Sequence, residues 1–277
     1  MKKGTLSNVF LILVLLIGLS LLLYPTFADW WNSSRQSYAV ASYVEQVAKM
    51  DDEQHQEVWE QARAYNVSLT ERFNGYTLND GQKAQYDFLL NIGGNGIMAY
   101  VEIPSINVHL PVYHGTDEAV LQVAIGHLDW TSLPVGGEST HCVISGHRGL
   151  PSARLFTDLD QLSVGDYFMI NVLDEVLTYE VDQIRIVLPH ETEELLIQEG
   201  KDLVTLVTCT PYGVNSHRML VRGHRVDNLA EAQTVRVTAD AIIVNKLAVV
   251  PFILGPMLLV MLLAVLLMPT KKKKEEM

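Results

Sequence analysis

D-L-V-T-L-V-T-C-T-P-Y-G-V-N-S-H-R-M-L-V-R-G-H-R-V, residues 202–226, is the stretch whose reading decides the fold. The β-branched run 204–208 predicts a strand that ends at Cys209. Pro211, Gly213 and Asn215 predict a turn, and residues 217–221 a returning strand. Cys209 and Arg218 therefore fall at facing ends of two neighbouring strands. A thiol beside a fixed guanidinium suits acyl transfer, because the cation favours the thiolate or steadies the oxyanion of a tetrahedral intermediate. A base is still required.

Working outward, the same short-strand pattern extends upstream. Residues 99–103, 108–112, 141–145, 167–173 and 177–187 read as strands, the last two forming a hairpin around Asp174 and Glu175. Residues 117–124, 152–162 and 192–198 read as short helices, and residues 73–82 as a loop. Roughly eight short strands and few helices predict a mainly β fold closed into a barrel. Before it, residues 33–72 repeat apolar residues at three and four, which predicts a helical stalk.

Two uncharged runs flank this body. Residues 4–28 follow Lys2 and Lys3, and as a helix their 25 residues span roughly 37 Å, enough for a bilayer core. Trp30 and Trp31 follow as an interfacial belt would; the rival reading is a cleaved signal peptide. Residues 247–270 form the second run, closed by Lys271–Lys274. Lysines at both outer ends place both termini in the cytoplasm and the body outside. Net charge is −12; without the terminal Lys2, Lys3, Lys271–Lys274, Glu275 and Glu276, 14 basic and 30 acidic residues remain. A body so acidic argues against nucleic acid as a partner.

Cys142 and Cys209 are the only cysteines, so the chain is no disulfide scaffold. A free thiol is only a few per cent thiolate at neutral pH and needs a basic partner. Of nine histidines, His55 and His190 read as solvated, His109 and His114 lie by the second strand, and His127 reads as a loop residue. His141 begins a strand, and His217 and His224 flank Arg218. His147 stands apart. It ends an apolar strand between Gly146 and Gly149, and two strand ends on one rim can meet although 62 residues separate His147 from Cys209. Cys142, an odd number of residues from His147, should face the other way and serve the core. No Cys/His metal spacing and no cofactor motif accompany these residues.

T-L-V-T-C at 205–209, Arg218 nine residues on and His147 upstream together resemble the signature of the sortases, membrane-anchored transpeptidases of Gram-positive bacteria with an eight-stranded barrel. The segments 96–98, 126–128, 131–134 and 146–153, with the C-terminal apolar run, look like class C, the pilin polymerases. The resemblance implies His147, Cys209 and Arg218 as catalytic residues and Thr208 as a supporting or substrate-binding hydrogen-bond donor. It further implies pilin subunits as partners, carrying an LPXTG-like sorting signal and an acceptor lysine, and no cofactor or metal. The expected layout is an anchor or signal (1–28), stalk and vestigial or absent lid (29–90), sortase barrel (91–227), linker (228–246), a second transmembrane helix (247–270) and a basic tail (271–277). The lid is the departure. Class C lids carry an Asp-Pro-aromatic motif, and this chain has no Asp-Pro pair; Asp80, in the stretch 77–85, is the nearest remnant. Competing functions are anchoring of surface proteins to peptidoglycan, a catalytically idle membrane adaptor and a hydrolytic cysteine protease.

Overall fold

The computed structural model describes residues 3–70 and 77–228. Eight strands close into one barrel: β1 (Ile97–Ile103), β2 (Val108–His114), β3 (Ile125–His127), β4 (Thr140–Ser145), β5 (Tyr167–Val172), β6 (Glu175–Val187), β7 (Asp202–Thr210) and β8 (His217–Val226). Round the barrel the order is β1-β2-β3-β4-β7-β8-β6-β5, with β5 returning to β1. The β2/β3 and β4/β7 neighbours run parallel and the other neighbours antiparallel. Closure leaves no sheet edge exposed. The predicted barrel is thus present. The interior is filled by alternate residues of each strand, among them Val101, Ile144, Phe168, Tyr179, Leu206 and Val221, all essentially inaccessible to solvent.

Helix α1 (Lys3–Val47) runs unbroken from the apolar run into the folded body. Among the described residues it is the one helix long and apolar enough to cross a membrane. The apolar run 247–270, the linker before it and the tetralysine lie outside the described residues. Past Ala28, α1 fastens to the barrel through side chains. Asp29 Oδ1 accepts from the Arg154 amide (2.8 Å), Asn32 Nδ2 donates to Ser152 O (2.9 Å) and Gln36 Nε2 donates to Val123 O (2.7 Å). Lower down, the buried Tyr43 hydroxyl donates to Met98 O (3.1 Å) and accepts from the Leu173 amide (2.7 Å). Helix α2 (Asp52–Thr70) adds Ala62 and Tyr65 to the same apolar core. The residues read as a stalk therefore contribute to the interior of the body.

Four expectations about local structure are corrected. Residues 152–162 are turns, with one 3-10 turn at Leu159–Gln161. Leu155, Phe156, Leu159 and Leu162 are buried as their spacing suggested, but Leu155 takes φ 41°, which no α-helix permits. Residues 192–198 contain a single 3-10 turn, Glu193–Leu195. The loop read at 73–82 gives way at Asp80 to helix α3 (Asp80–Phe88), capped by Asn79 and Gln82 in a reciprocal capping box. Asp80 is the first residue of that helix. The fourth correction is His127, which lies in β3 and is fully buried.

His127 is held from both sides. Its Nε2 lies 2.8 Å from Ser132 O, which only accepts, so Nε2 carries the proton and Nδ1 accepts from the Tyr86 hydroxyl at 2.9 Å. Tyr86 also receives the Gly115 amide (3.0 Å), so this network seats α3 on the barrel. Burial, opposed by the Ser132 carbonyl, pushes the His127 pKa down to about 3. The folded value lies below the unfolded one near 6.5, so stability from this group is complete above 6.5 and is lost as pH falls toward 3. From this histidine alone, unfolding free energy should drop by about 2 kcal/mol between pH 7 and pH 5. Urea titrations at both values, on the parent and on His127→Gln, check it: the variant should be less stable at pH 7 but lose less on acidification. Equal losses would contradict the assignment.

Candidate active site

The parallel pairing of β4 with β7 ends at Ser145 opposite Val207. The alignment continues past the last ladder pair. The Gly146 amide donates to Val207 O (3.0 Å), and Thr208 Oγ1 donates to Gly146 O (2.8 Å). His147 follows two residues past the end of β4, as Cys209 follows two residues past Val207 in β7. On the other side, β7 and β8 are antiparallel with Cys209 directly opposite Arg218. Thiol and guanidinium thus sit on adjacent strands about 4.8 Å apart, and the imidazole is carried by the turn after β4, the other neighbour of β7. Of the three residues predicted from sequence, Cys209 and Arg218 are direct cross-strand partners, and His147 lies on the turn that follows β4. All three are partly exposed, as groups meeting a substrate must be.

Strand alternation decides which way they face. Cys142 and Ile144 of β4, Val204 and Leu206 of β7, and Met219 and Val221 of β8 point into the main core. The opposite parity, Val143, Val207 and Leu220, forms a separate apolar cluster on the outer face, covered by Leu195 and flanked by Leu128, Trp130 and Val187. Cys209 and Arg218 share that outer parity. The thiol therefore stands on the same side of β7 as this buried outer cluster. Cys142 lies in the core, as predicted, and burial with the nearby Asp202 charge pushes its thiol pKa far up.

Thr208, on the inner parity, is fully buried and donates to Gly146 O. It supports the turn that carries His147 and is not open to a substrate. Arg218 Nη1 donates to Asn215 O (3.2 Å) and His217 O (3.1 Å), and no carboxylate among the described residues pairs with it. Its charge remains available to an anion. Other histidines are engaged elsewhere. His141, whose pKa burial lowers, binds Thr205 Oγ1 (2.7 Å) and Leu196 O (2.9 Å). His55, read as solvated, is three-quarters buried beside Asp174 and Trp59. No cluster of three or more metal-ligating residues occurs among the described residues.

Sequence reasoning missed the fastening of the His147 turn. Gly146 has no room for a side chain, since a Cβ there would come within 2.7 Å of Ile125 and Phe156. Gly149, at φ +76°, lies against the Tyr212 ring, where a Cβ would approach to 2.9 Å. Between them Arg148 is nine-tenths buried, ion-paired with Asp160, and holds its guanidinium 5.8 Å over the same ring. Tyr212 lies three residues after Cys209, past a cis peptide at Thr210–Pro211. Arg148 and Gly149 thus tie the loop on one side of the thiol to the loop on the other. A positive residue between a histidine and a glycine was the visible signal.

A closed barrel with thiol, imidazole and guanidinium at one rim defines a cysteine acyl-transfer scaffold. A family model described as the sortase domain matches residues 101–226. Sortase C1 of Streptococcus agalactiae is similar at 49% identity with a TM-score of 0.68, over 69% of this chain and 100% of that one. Sortase C of Streptococcus pneumoniae is similar at 43% identity and a TM-score of 0.61, over 70% of this chain and 98% of that one. Sortase D of Bacillus subtilis is 32% identical over 129 residues, which span 46% of this chain and 62% of that protein. The chain belongs to the sortase family, whose members are cysteine transpeptidases, and the two solved neighbours from S. agalactiae and S. pneumoniae are class C sortases.

Proposed function

We propose that this chain is a pilin-polymerising transpeptidase that joins a sorting signal of the LPXTG kind to a lysine of the next subunit. The observation supporting this reading is the cross-strand pairing of Cys209 with Arg218, with His147 on the turn that follows β4, the parallel neighbour of β7. The Cys209 thiolate, paired with the His147 imidazolium, attacks the carbonyl carbon of the Thr–Gly bond. The resulting oxyanion is held by Arg218. Collapse of the intermediate breaks the C–N bond, His147 gives its proton to the departing glycine amine, and the threonine remains as a thioester on Cys209. A lysine amine of the next pilin then attacks that thioester. Its proton passes to His147, the thiolate leaves, and an isopeptide bond remains.

Pilin as the partner is supported by the class C neighbours; the S. pneumoniae enzyme is described in terms of pilin substrate specificity. In this reading α1 is a retained anchor, the barrel is extracytoplasmic, both termini are cytoplasmic, and no Asp-Pro-aromatic lid covers Cys209. Incubating the full chain in liposomes with purified pilin should give ladders of covalent oligomers. Hydrolysed pilin alone, or product formed only with peptidoglycan amines, would favour a protease or a wall-anchoring sortase instead. Arg218→Ala should lower the turnover rate about 10²–10³-fold with a smaller effect on KM, as loss of an oxyanion donor does. Steady-state kinetics on a sorting-signal peptide check this, and an unchanged rate would remove Arg218 from the mechanism.

A further inference from the structure

We propose that Arg148 is a positioning residue that couples the two ends of the candidate site, holding the His147 turn and the Arg218 guanidinium in one frame. This rests on the reading of His147, Cys209 and Arg218 given above. Arg148 follows His147 directly, and its side chain is nine-tenths buried. Its Nη2 donates to Asp160 Oδ2, and Asp160 belongs to the 3-10 turn Leu159–Gln161, whose Leu159 is fully buried. Its Cζ lies 5.8 Å over the Tyr212 ring, and its Nε meets no acceptor among the described residues. Burying a guanidinium is costly, and one partly exposed carboxylate offsets only part of that. A side chain that merely filled this space would be apolar. The charge is kept where two loops meet, and a planar guanidinium is the cation that most often lies over a ring.

Tyr212 is the other half of the frame. It lies three residues after Cys209, and its ring also covers Gly149, where a Cβ would approach to 2.9 Å. The loop carrying Tyr212 closes on itself: the Val214 and Asn215 amides donate to Pro211 O at 3.1 and 2.9 Å. Asn215 O and His217 O, at the end of that loop, accept from Arg218 Nη1 at 3.2 and 3.1 Å. The Arg218 guanidinium therefore takes its direction from the loop, and the loop takes its place from Arg148. On the other side, Arg148 sits inside the His147 turn. There His147 O accepts from the Phe156 amide (3.1 Å), and the Gly149 amide donates to Thr157 Oγ1 (3.1 Å). Releasing Arg148 from the ring would leave the barrel ladders intact and let imidazole and guanidinium drift relative to the thiol. A shift of about 1 Å in a reacting group can slow a reaction about 10²-fold.

Arg148→Met keeps the stem and removes the cation. In the full chain, hydrogen exchange at the Val214 and Asn215 amides should speed about fivefold or more, while the amides of β7 and β8 keep their rates. Turnover of a sorting-signal peptide should fall about 10–100-fold, with KM within about twofold. Turnover is counted per folded molecule, read as the fraction whose buried Cys142 resists iodoacetamide. Tyr212→Leu should match Arg148→Met, and the double variant should be no slower than either, because both changes break one contact. Tyr212→Phe keeps the ring and should retain most of the parent rate. A purely structural role would lower the folded fraction and leave turnover per folded molecule unchanged. Unchanged exchange in Arg148→Met overturns the frame. Unchanged turnover, or losses that multiply in the double variant, overturns its positioning role. Exchange reads the frame without any chemistry, so a parent chain that transfers no acyl group would refute the transpeptidase reading, and exchange would still decide the frame.

Discussion

Cys209→Ala should abolish acyl transfer, with turnover falling about 10⁴-fold or more, while the unfolding free energy stays within about 0.5 kcal/mol of the parent. The change removes one sulfur from a half-buried strand end and breaks no hydrogen bond of the barrel. No neighbouring nucleophile can replace it, because Cys142 is held inside the core. The companion substitution should behave in the opposite way. Cys142→Ser places a hydroxyl among apolar side chains and should cost about 1–3 kcal/mol of stability, yet leave the folded fraction turning over at the parent rate. Pilin ladders, peptide turnover and a denaturant titration on both variants separate chemistry from folding. Retained transfer in Cys209→Ala would leave an adaptor function standing.

The second large effect is on stability. Tyr43→Ala should cost about 3–5 kcal/mol, since it empties a fully buried aromatic site between α1 and the barrel. Tyr43→Phe keeps the ring but strands the Leu173 amide and the Met98 carbonyl, and should cost about 1–3 kcal/mol. A loss below about 1 kcal/mol for the alanine variant would mean that α1 lies loosely against the barrel.

How much of this was legible in the sequence depended on whether a signal was local. The strands around Cys209 carry β-branched runs between turn formers, and these were found. Strand β3 is three residues, one of them glycine, and gives no periodicity, so His127 passed for a loop residue. Residues 152–162 show helical spacing because four apolar side chains reach the core, but the backbone gets them there through turns. The start of α3 was readable from Asn79 and Gln82 three residues on, a signal outweighed by the nearby glycine. For the site, residue identities and the shared rim could be inferred from two strand ends. The parallel β4/β7 register could not, because it depends on a crossover through four intervening elements of the chain. The Arg148–Tyr212 contact was hidden for the same reason, as it joins residues 64 apart that meet only once both loops are in place.

The most direct test of the account is to trap the acyl intermediate. The full chain is incubated with an LPXTG peptide in the absence of amine acceptor, quenched in acid, digested and read by mass spectrometry. The account predicts a thioester adduct of the peptide cut after threonine, on the fragment carrying Cys209, absent in Cys209→Ala and much reduced in His147→Ala. An adduct on any other residue, or peptide cleaved at full rate by Cys209→Ala, would contradict it.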